Sequence, residues 1–288
     1  MSIKSQLLRS LYNTLSHSHE GAYATRADRQ VVLTSTMKEL VGLGYKIASV
    51  QQLKEKHITA LVTYWQRKGL TVGTVKNRLA ALRYLAKQIR KSSIIPSNKA
   101  LQIGARKQIA ISNKSIHSVN FARITDPHVQ MSLQLQRVFG LRREESIKIR
   151  PHMADKNDKL LLLGAWCKGN RSREIPIRTE EQRYWLEQAK GFCVSPDQSL
   201  IPPHKSYIRH RNVYDKQLQR AGIRSHGLRH AYAQLRYQEL TGHDAPIAGG
   251  PKFSELPPLM QQKDRWARMV LTEELGHSRL QITSNYLG

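Results

Sequence analysis

Between Thr74 and Arg90 the apolar residues Val75, Leu79, Leu82, Ala86 and Ile89 recur at steps of four, three, four and three, which places them on one stripe of a helix. Lys76, Arg83, Lys87 and Arg90 repeat that spacing one position on. They form a basic edge able to follow a phosphate backbone, although on a single helix the same pattern reads more readily as a solvated face. The pattern predicts earlier helices over Ser5 to Ser16, Arg26 to Leu43 and Val50 to Lys68, the last stopped by Gly69. Residues 111–120 are polar and aperiodic and read as a linker, so a helical domain over 1–110 is expected before it and a second domain over 121–288 after it.

The second half opens on a marked helix, with Asp126 as N-cap, Pro127 at the first position and Gly140 as the stop; a shorter helix is expected from near Leu141. Two β-rich runs, Lys159 to Trp166 and Ser172 to Ile177, flank Gly169 and Asn170 and predict a hairpin. Helices return at Glu180 to Lys190, Tyr207 to Ala221, Leu228 to Leu240, Lys263 to Glu274 and Ser278 to Leu287. The Pro- and Gly-rich span from Gly242 to Pro258 is expected to be a long loop. The fold class is therefore mainly α with one small β-hairpin, an α+β chain with two domains.

Charge changes the picture from a plain helical protein to one with a polyanionic partner. The 288 residues carry 47 Lys and Arg against 21 Asp and Glu, a net charge of +26, and 19 of the basic residues but only four of the acidic ones lie before position 111. With 40% hydrophobic residues the chain can still bury a core, so nucleic acid is the expected partner of a folded domain, not of a disordered tail. No apolar run approaches the ~20 residues of a membrane span. Cys167 and Cys193 have no CxxC spacing and the opening MSIKSQLLRS lacks a secretory apolar stretch, which points to a reducing compartment without structural zinc.

Four motifs carry candidate chemistry. In Gly140-Leu141-Arg142-Arg143-Glu144-Glu145, Glu145 stands at i+3 from Arg142 and can orient its guanidinium. Lys168-Gly169-Asn170-Arg171-Ser172-Arg173-Glu174-Ile175-Pro176-Ile177 puts Lys168 at a hairpin tip. His226-Gly227-Leu228-Arg229-His230 projects an imidazole and a guanidinium from a helix N-terminus, a corner that suits a phosphate. Leu275-Gly276-His277-Ser278 is followed by Tyr286. Each alone has a bland reading, as a solvated hairpin, a packing histidine or an amphipathic terminal tyrosine.

In this order, Arg142, Lys168, His226, Arg229, His277 and Tyr286 with the GLRxxE, KGxxxRxIPI, HGLRH and LGHS contexts resemble the tyrosine recombinases, the phage integrase family of DNA strand-exchange enzymes. The resemblance implies a helical core-binding domain and a catalytic domain forming a C-shaped clamp around DNA, acting without metal or other cofactor. It implies that Tyr286 attacks the scissile phosphate to give a 3′-phosphotyrosyl link, Arg142 and Arg229 hold the phosphate, His226 exchanges the tyrosine proton, Lys168 protonates the departing 5′ oxygen, and His277 steadies the transition state. Glu145 would orient Arg142. Lys76, Arg83, Lys87, Arg90, Arg171 and Arg173 are expected to face DNA, while Arg143 and His230 bind DNA or pack. The implied partners are duplex recombination sites, a homotetramer of the chain and accessory DNA-bending proteins, in a bacterial, DNA-associated setting.

Two features depart from the family pattern. The Arg229 to His277 spacing is long because of the Gly242 to Pro258 insertion, expected to be a surface loop. The chain also ends two residues after Tyr286, short of the tail many relatives carry, so either its subunits are coupled differently or the sequence stops short. Type IB topoisomerase-like relaxation and non-catalytic DNA binding are the alternative functions; an intact Tyr286 speaks against the second.

Overall fold

The computed structural model describes residues 2–106, 110 and 112–288, and the chain divides into two compact units, Met1–Lys107 and Gln108–Gly288. The first unit is built from α1 (Ile3–Ser16), α2 (Tyr23–Gly42), α3 (Glu55–Arg67) and α4 (Val72–Gln88). All five residues of the Val75 to Ile89 stripe are buried, and Val75, Leu79, Leu82 and Ile89 share a core with Leu7, Leu11, Leu33, Met37 and Trp65. Thr71 caps α4 by accepting from the Thr74 amide. The run from Val50 does not form one helix: Ser49 caps a single turn over Val50–Gln52, Leu53 and Lys54 are extended, and α3 starts at Glu55. Glu39 is spent inside this unit, accepting from Trp65 Nε1 (2.8 Å) and pairing with Arg78 (2.7 Å).

The basic edge of α4 is shorter than its sequence suggests. Arg83 turns back to donate to the Pro96 carbonyl (3.1 Å) and to Asn98 Oδ1 (2.9 Å), bracing the following loop. Arg90 lies beyond the helix end with a left-handed φ of 56°, off the α4 face. Of the four basic positions in this row, Lys76 and the exposed Lys87 remain on the α4 face, Lys87 with Glu20 3.8 Å away.

The second unit starts from α5 (Pro127–Phe139), capped by Asp126 and closed by Gly140 in the left-handed region, as the sequence indicates. After α6 (Arg143–Lys148) and α7 (Pro151–Ala154), β1 (Lys159–Leu162) and β2 (Arg173–Pro176) pair antiparallel, Leu162 opposite Arg173. The strands are shorter than predicted because Gly164–Trp166 winds into a 3₁₀ turn. Then come α8 (Glu180–Gly191), α9 (Tyr207–Ala221), α10 (His226–Thr241), α11 (Pro258–Glu274) and α12 (Ser284–Leu287). α11 begins five residues before the expected Lys263 because Pro257 and Pro258 supply a preset helical start. The expected helix from Ser278 instead resolves into a 3₁₀ turn, Leu280–Ile282, and the one-turn α12.

α10 is the central element, burying residues on nearly every side against α5, α11 and α12. Two stretches expected to be loose are packed on this unit. In the 111–120 stretch, of which Ile111 lies outside the described residues, Ile116 and Val119 join a small core with Leu228, so it is not a free linker. In the Gly242 to Pro258 insertion, Ala245 is 1% exposed and Ile247 packs on the main core beside Gly288, so the insertion backs α12. Among the described residues no helix is long and apolar enough to cross a membrane.

Candidate active site

Arg229 is the centre of the site. It sits one turn into α10 and is 0% exposed, so each of its N–H groups needs a partner in the protein. One terminal nitrogen donates to the Gly140 carbonyl, the other to the Leu275 carbonyl and to His277 Nε2 (3.3 Å), and Nε donates to Tyr286 Oη (3.3 Å). The carbonyls come from two helix ends, α5 and α11. Burial, followed by the neighbouring charges of Arg142 and Arg173, lowers the Arg229 pKa to about 10, which leaves it charged at neutral pH.

Those helix ends require glycine. Gly140 has φ 62°, and a Cβ there would enter the Tyr232 ring; Gly276 has φ 61°, and a Cβ would lie 2.8 Å from Arg173 Cδ. Gly276 also accepts from Arg142 (3.3 Å), so the turn after α11 holds a second guanidinium.

Arg142 caps α6 jointly with Glu145: its amide donates to Oε2 and its side chain to Oε1, both at 2.7 Å. The same carboxylate receives a forked pair from Arg173 at 3.0 and 2.7 Å, and Arg173 Nε donates to the Glu274 carbonyl (2.8 Å). Arg173 is 8% exposed. Its expected DNA-facing role is thus overturned: on β2 the side chains alternate inward and outward, and Arg173 shares the inward face with Ile175. Burial alone would raise the Glu145 pKa, but the bonded Arg173 and the charges of Arg142 and Arg229 outweigh it and hold the carboxyl at about 2. Glu145 is therefore a fixed anion between two guanidinium groups.

Three imidazoles surround the Tyr286 ring. His277 stacks on it at 5.4 Å between centroids, His230 lies tilted at 4.5 Å and His226 at 5.9 Å. Because Arg229 can only donate, His277 Nε2 must accept, so the ring proton sits on Nδ1, which is buried without a partner among the described residues. Burial first, then the charges of Arg229, Arg142 and Arg173, lower the His277 pKa to about 3. Burial, His226, Lys114 and Arg229 bring His230 to about 4, and burial with Arg229, Arg142 and Lys114 lowers that of His226. All three rings are neutral at pH 7. His226 packs on one side against His230 and Tyr286 but stays open to solvent on the other, so it can exchange a proton, while Tyr286 is 6% exposed.

The structure thus brings together Arg142, Glu145, His226, Arg229, His277 and Tyr286. It does not bring Lys168 to them. That residue is exposed on the connection between β1 and β2, next to Gly169 and Asn170 with left-handed φ, and Arg171 beside it is exposed as well. Arg143 pairs with Asp215 at the surface (2.7 Å). Sequence reasoning missed Arg173 as an internal residue, Glu274 as its acceptor, and Lys114 as a cation near two site histidines. The KGxxxRxIPI spacing held a signal for Arg173, since Arg173, Ile175 and Ile177 alternate with polar or proline positions. Among the described residues no cluster of three or more metal-ligating side chains occurs.

Comparison with known proteins finds relatives of one kind. A family model described as "Phage integrase, N-terminal" matches residues 5–95, and one described as "Integrase" matches residues 99–235. The chain is 24% identical over 223 residues to a tyrosine recombinase XerC of Shewanella amazonensis, covering 68% of this chain and 74% of that protein. To XerC of Psychromonas ingrahamii it is 24% identical over 220 residues, covering 69% and 73%. Its fold is similar to that of a lambda integrase (75–356) dimer bound to a COC′ core site, with a TM-score of 0.58 and 13% identity over 100% of this chain and 96% of that one. It is also similar to the XerH recombinase bound to a palindromic difH substrate, with a TM-score of 0.57 and 15% identity over 99% and 81%. Consecutive family models over both units, with relatives of the same kind, make the chain a member of the phage integrase family of tyrosine recombinases.

Proposed function

We propose that the chain performs site-specific DNA recombination through a phosphotyrosyl intermediate formed on Tyr286. The observation that carries this reading is the contact of a fully buried, charged Arg229 with Tyr286 Oη, ringed by neutral histidines and a second oriented guanidinium. A phosphodiester bound there gains negative charge on its nonbridging oxygens during displacement, and fixed donors aimed at that charge lower the barrier. Arg142, held by the Glu145 carboxylate that Arg173 braces, and Arg229 supply such donors. The unpartnered Nδ1–H of His277 adds a neutral donor.

The Tyr286 oxygen bonds to phosphorus as the bond to the 5′ oxygen breaks. The tyrosine proton passes to His226, whose lowered pKa keeps it an acceptor at neutral pH. The leaving oxygen takes a proton from Lys168, which the exposed hairpin delivers when the duplex docks. The phosphotyrosyl bond conserves the energy of the broken linkage, so a 5′-hydroxyl of a second duplex rejoins the strand by the reverse steps. Four copies of the chain assemble on two duplex sites.

Incubation with a suicide duplex bearing the recombination site tests this reading. The wild type is expected to form a covalent adduct and Tyr286→Phe none; an adduct that survives in the Phe variant refutes it.

A further inference from the structure

The stretch 112–116 runs along the start of α10. The Ile116 amide donates to the Gly227 carbonyl (3.0 Å), and the Ile116 side chain and Lys114 carbonyl crowd Gly227, where a Cβ would meet them at 2.6 and 2.7 Å. This seats Asn113 within reach of Gln234, two turns along α10. Gln234 is 5% exposed, and its Nε2 serves two acceptors: Asn113 Oδ1 at 2.9 Å and the backbone carbonyl of Tyr286 at 3.0 Å. Asn113 Nδ2 returns a longer contact to Gln234 Oε1 (3.4 Å).

The second acceptor is the nucleophile's own backbone. α12 is four residues long, so its last carbonyls have no partner within the helix and must be satisfied from outside. The rings of His230 and His277 fix the Tyr286 side chain, but not the rotation of the short helix that bears it. From α10 the Gln234 amide restrains α12 at the nucleophile's own carbonyl, two residues before the Gly288 carbonyl that Arg268 holds from α11 (3.2 Å), and Asn113 holds that amide.

We infer that Gln234, held by Asn113, is a positioning residue that sets the orientation of α12 and so the approach of Tyr286 Oη to phosphorus. This rests on the reading of Tyr286 as the nucleophile. Displacement of a reacting atom by ~1 Å costs up to about 100-fold in rate, so loss of the restraint appears in the chemical step and not in DNA affinity.

The test is single-turnover cleavage of a suicide duplex at saturating protein, alongside DNA affinity and thermal unfolding of the same full-length variants. Gln234→Ala is expected to cleave about 10-fold more slowly with affinity unchanged within about twofold. Gln234→Glu, nearly the same size but with an acceptor turned on the Tyr286 carbonyl, is expected to be at least as slow, which separates the hydrogen bond from packing. Asn113→Ala is expected to lose about threefold, and Asn113→Asp, which keeps the Oδ1 acceptor, to recover most of it. Since the residues act in series, the Asn113→Ala/Gln234→Ala double variant should be no slower than Gln234→Ala. Wild-type cleavage rates in both Gln234 variants overturn the inference, as does a rate loss matched by equal losses of affinity and melting temperature. A wild-type chain giving no Tyr286-dependent adduct overturns the functional reading along with it, a result distinct from normal adduct formation with unaffected Gln234 variants.

Discussion

Arginine and lysine serve different ends in the two units. In the first, no described Lys or Arg is buried, and 19 basic residues precede position 111 against four acidic ones. In the second, Arg229 is 0% and Arg173 8% exposed, each with a full set of protein acceptors. Exposed cations are screened by salt and interchangeable within a patch, so they act on affinity. Buried guanidinium groups are tied to particular carbonyls and carboxylates, so they act on geometry, and exchange with Lys is not conservative there.

The largest test of this contrast is Arg229→Lys. An ammonium cannot span Gly140, Leu275, His277 and Tyr286 together, so adduct formation on the suicide duplex is expected to fall by about 100- to 1,000-fold. A fall below tenfold would mean that Arg229 contributes charge alone.

Arg173→Met and Arg171→Met compare two arginines two positions apart. Arg173→Met breaks a buried forked pair with Glu145 and is expected to cost about 3 kcal/mol in urea unfolding, whereas the exposed Arg171→Met stays within about 0.5 kcal/mol. Equal costs would break the distinction between the inward and outward sides of the hairpin connection.

Acid should act chiefly on the second unit. His210, fully buried with both ring nitrogens unpartnered among the described residues, is lowered by burial to about 4, in line with His230 and His277. A histidine whose folded pKa lies below its unfolded value of ~6.5 makes the unfolded chain bind more protons, so stability is complete above pH 6.5 and lost as pH falls toward 4. Urea unfolding at pH 7.5 and 5.0 is expected to differ by about 1 to 2 kcal/mol from His210 alone. His210→Phe should flatten that difference; an unchanged pH dependence would assign it elsewhere.

The smallest effect belongs to the first unit. Lys76→Gln and Lys87→Gln are each expected to weaken DNA binding modestly and lower the salt slope by about 1, with cleavage at saturation unchanged. A change in the cleavage rate would place these lysines in the chemistry and erase the contrast.

Much of the fold was legible wherever a signal is local. The α4 stripe, the Asp126-Pro127 start and Gly140 stop of α5, and the ends of α9 rest on periodicity, capping and left-handed turns, which involve neighbours within a few residues. Errors arose where distant packing overrode such signals. Arg83 and Arg90 share a sequence period with Lys76 and Lys87, yet one braces a loop and the other falls past the helix end. The polar 111–120 stretch reads as a linker because nothing local shows that Ile116 has Gly227 to pack against, 111 residues on.

By itself the sequence determined the order and identity of the chemical groups, the helical texture and the uneven charge, all properties of residue type and short spacing. Tertiary structure alone decided which cations are buried. Arg173 and Arg171 are nearly indistinguishable along the chain, but only Arg173 meets Glu145 and the end of α11, and a buried guanidinium is stable only where such acceptors converge from distant segments. The same holds for Gln234, whose partners stand 121 and 52 residues away. Convergence of that kind is a property of packing, which no local pattern encodes.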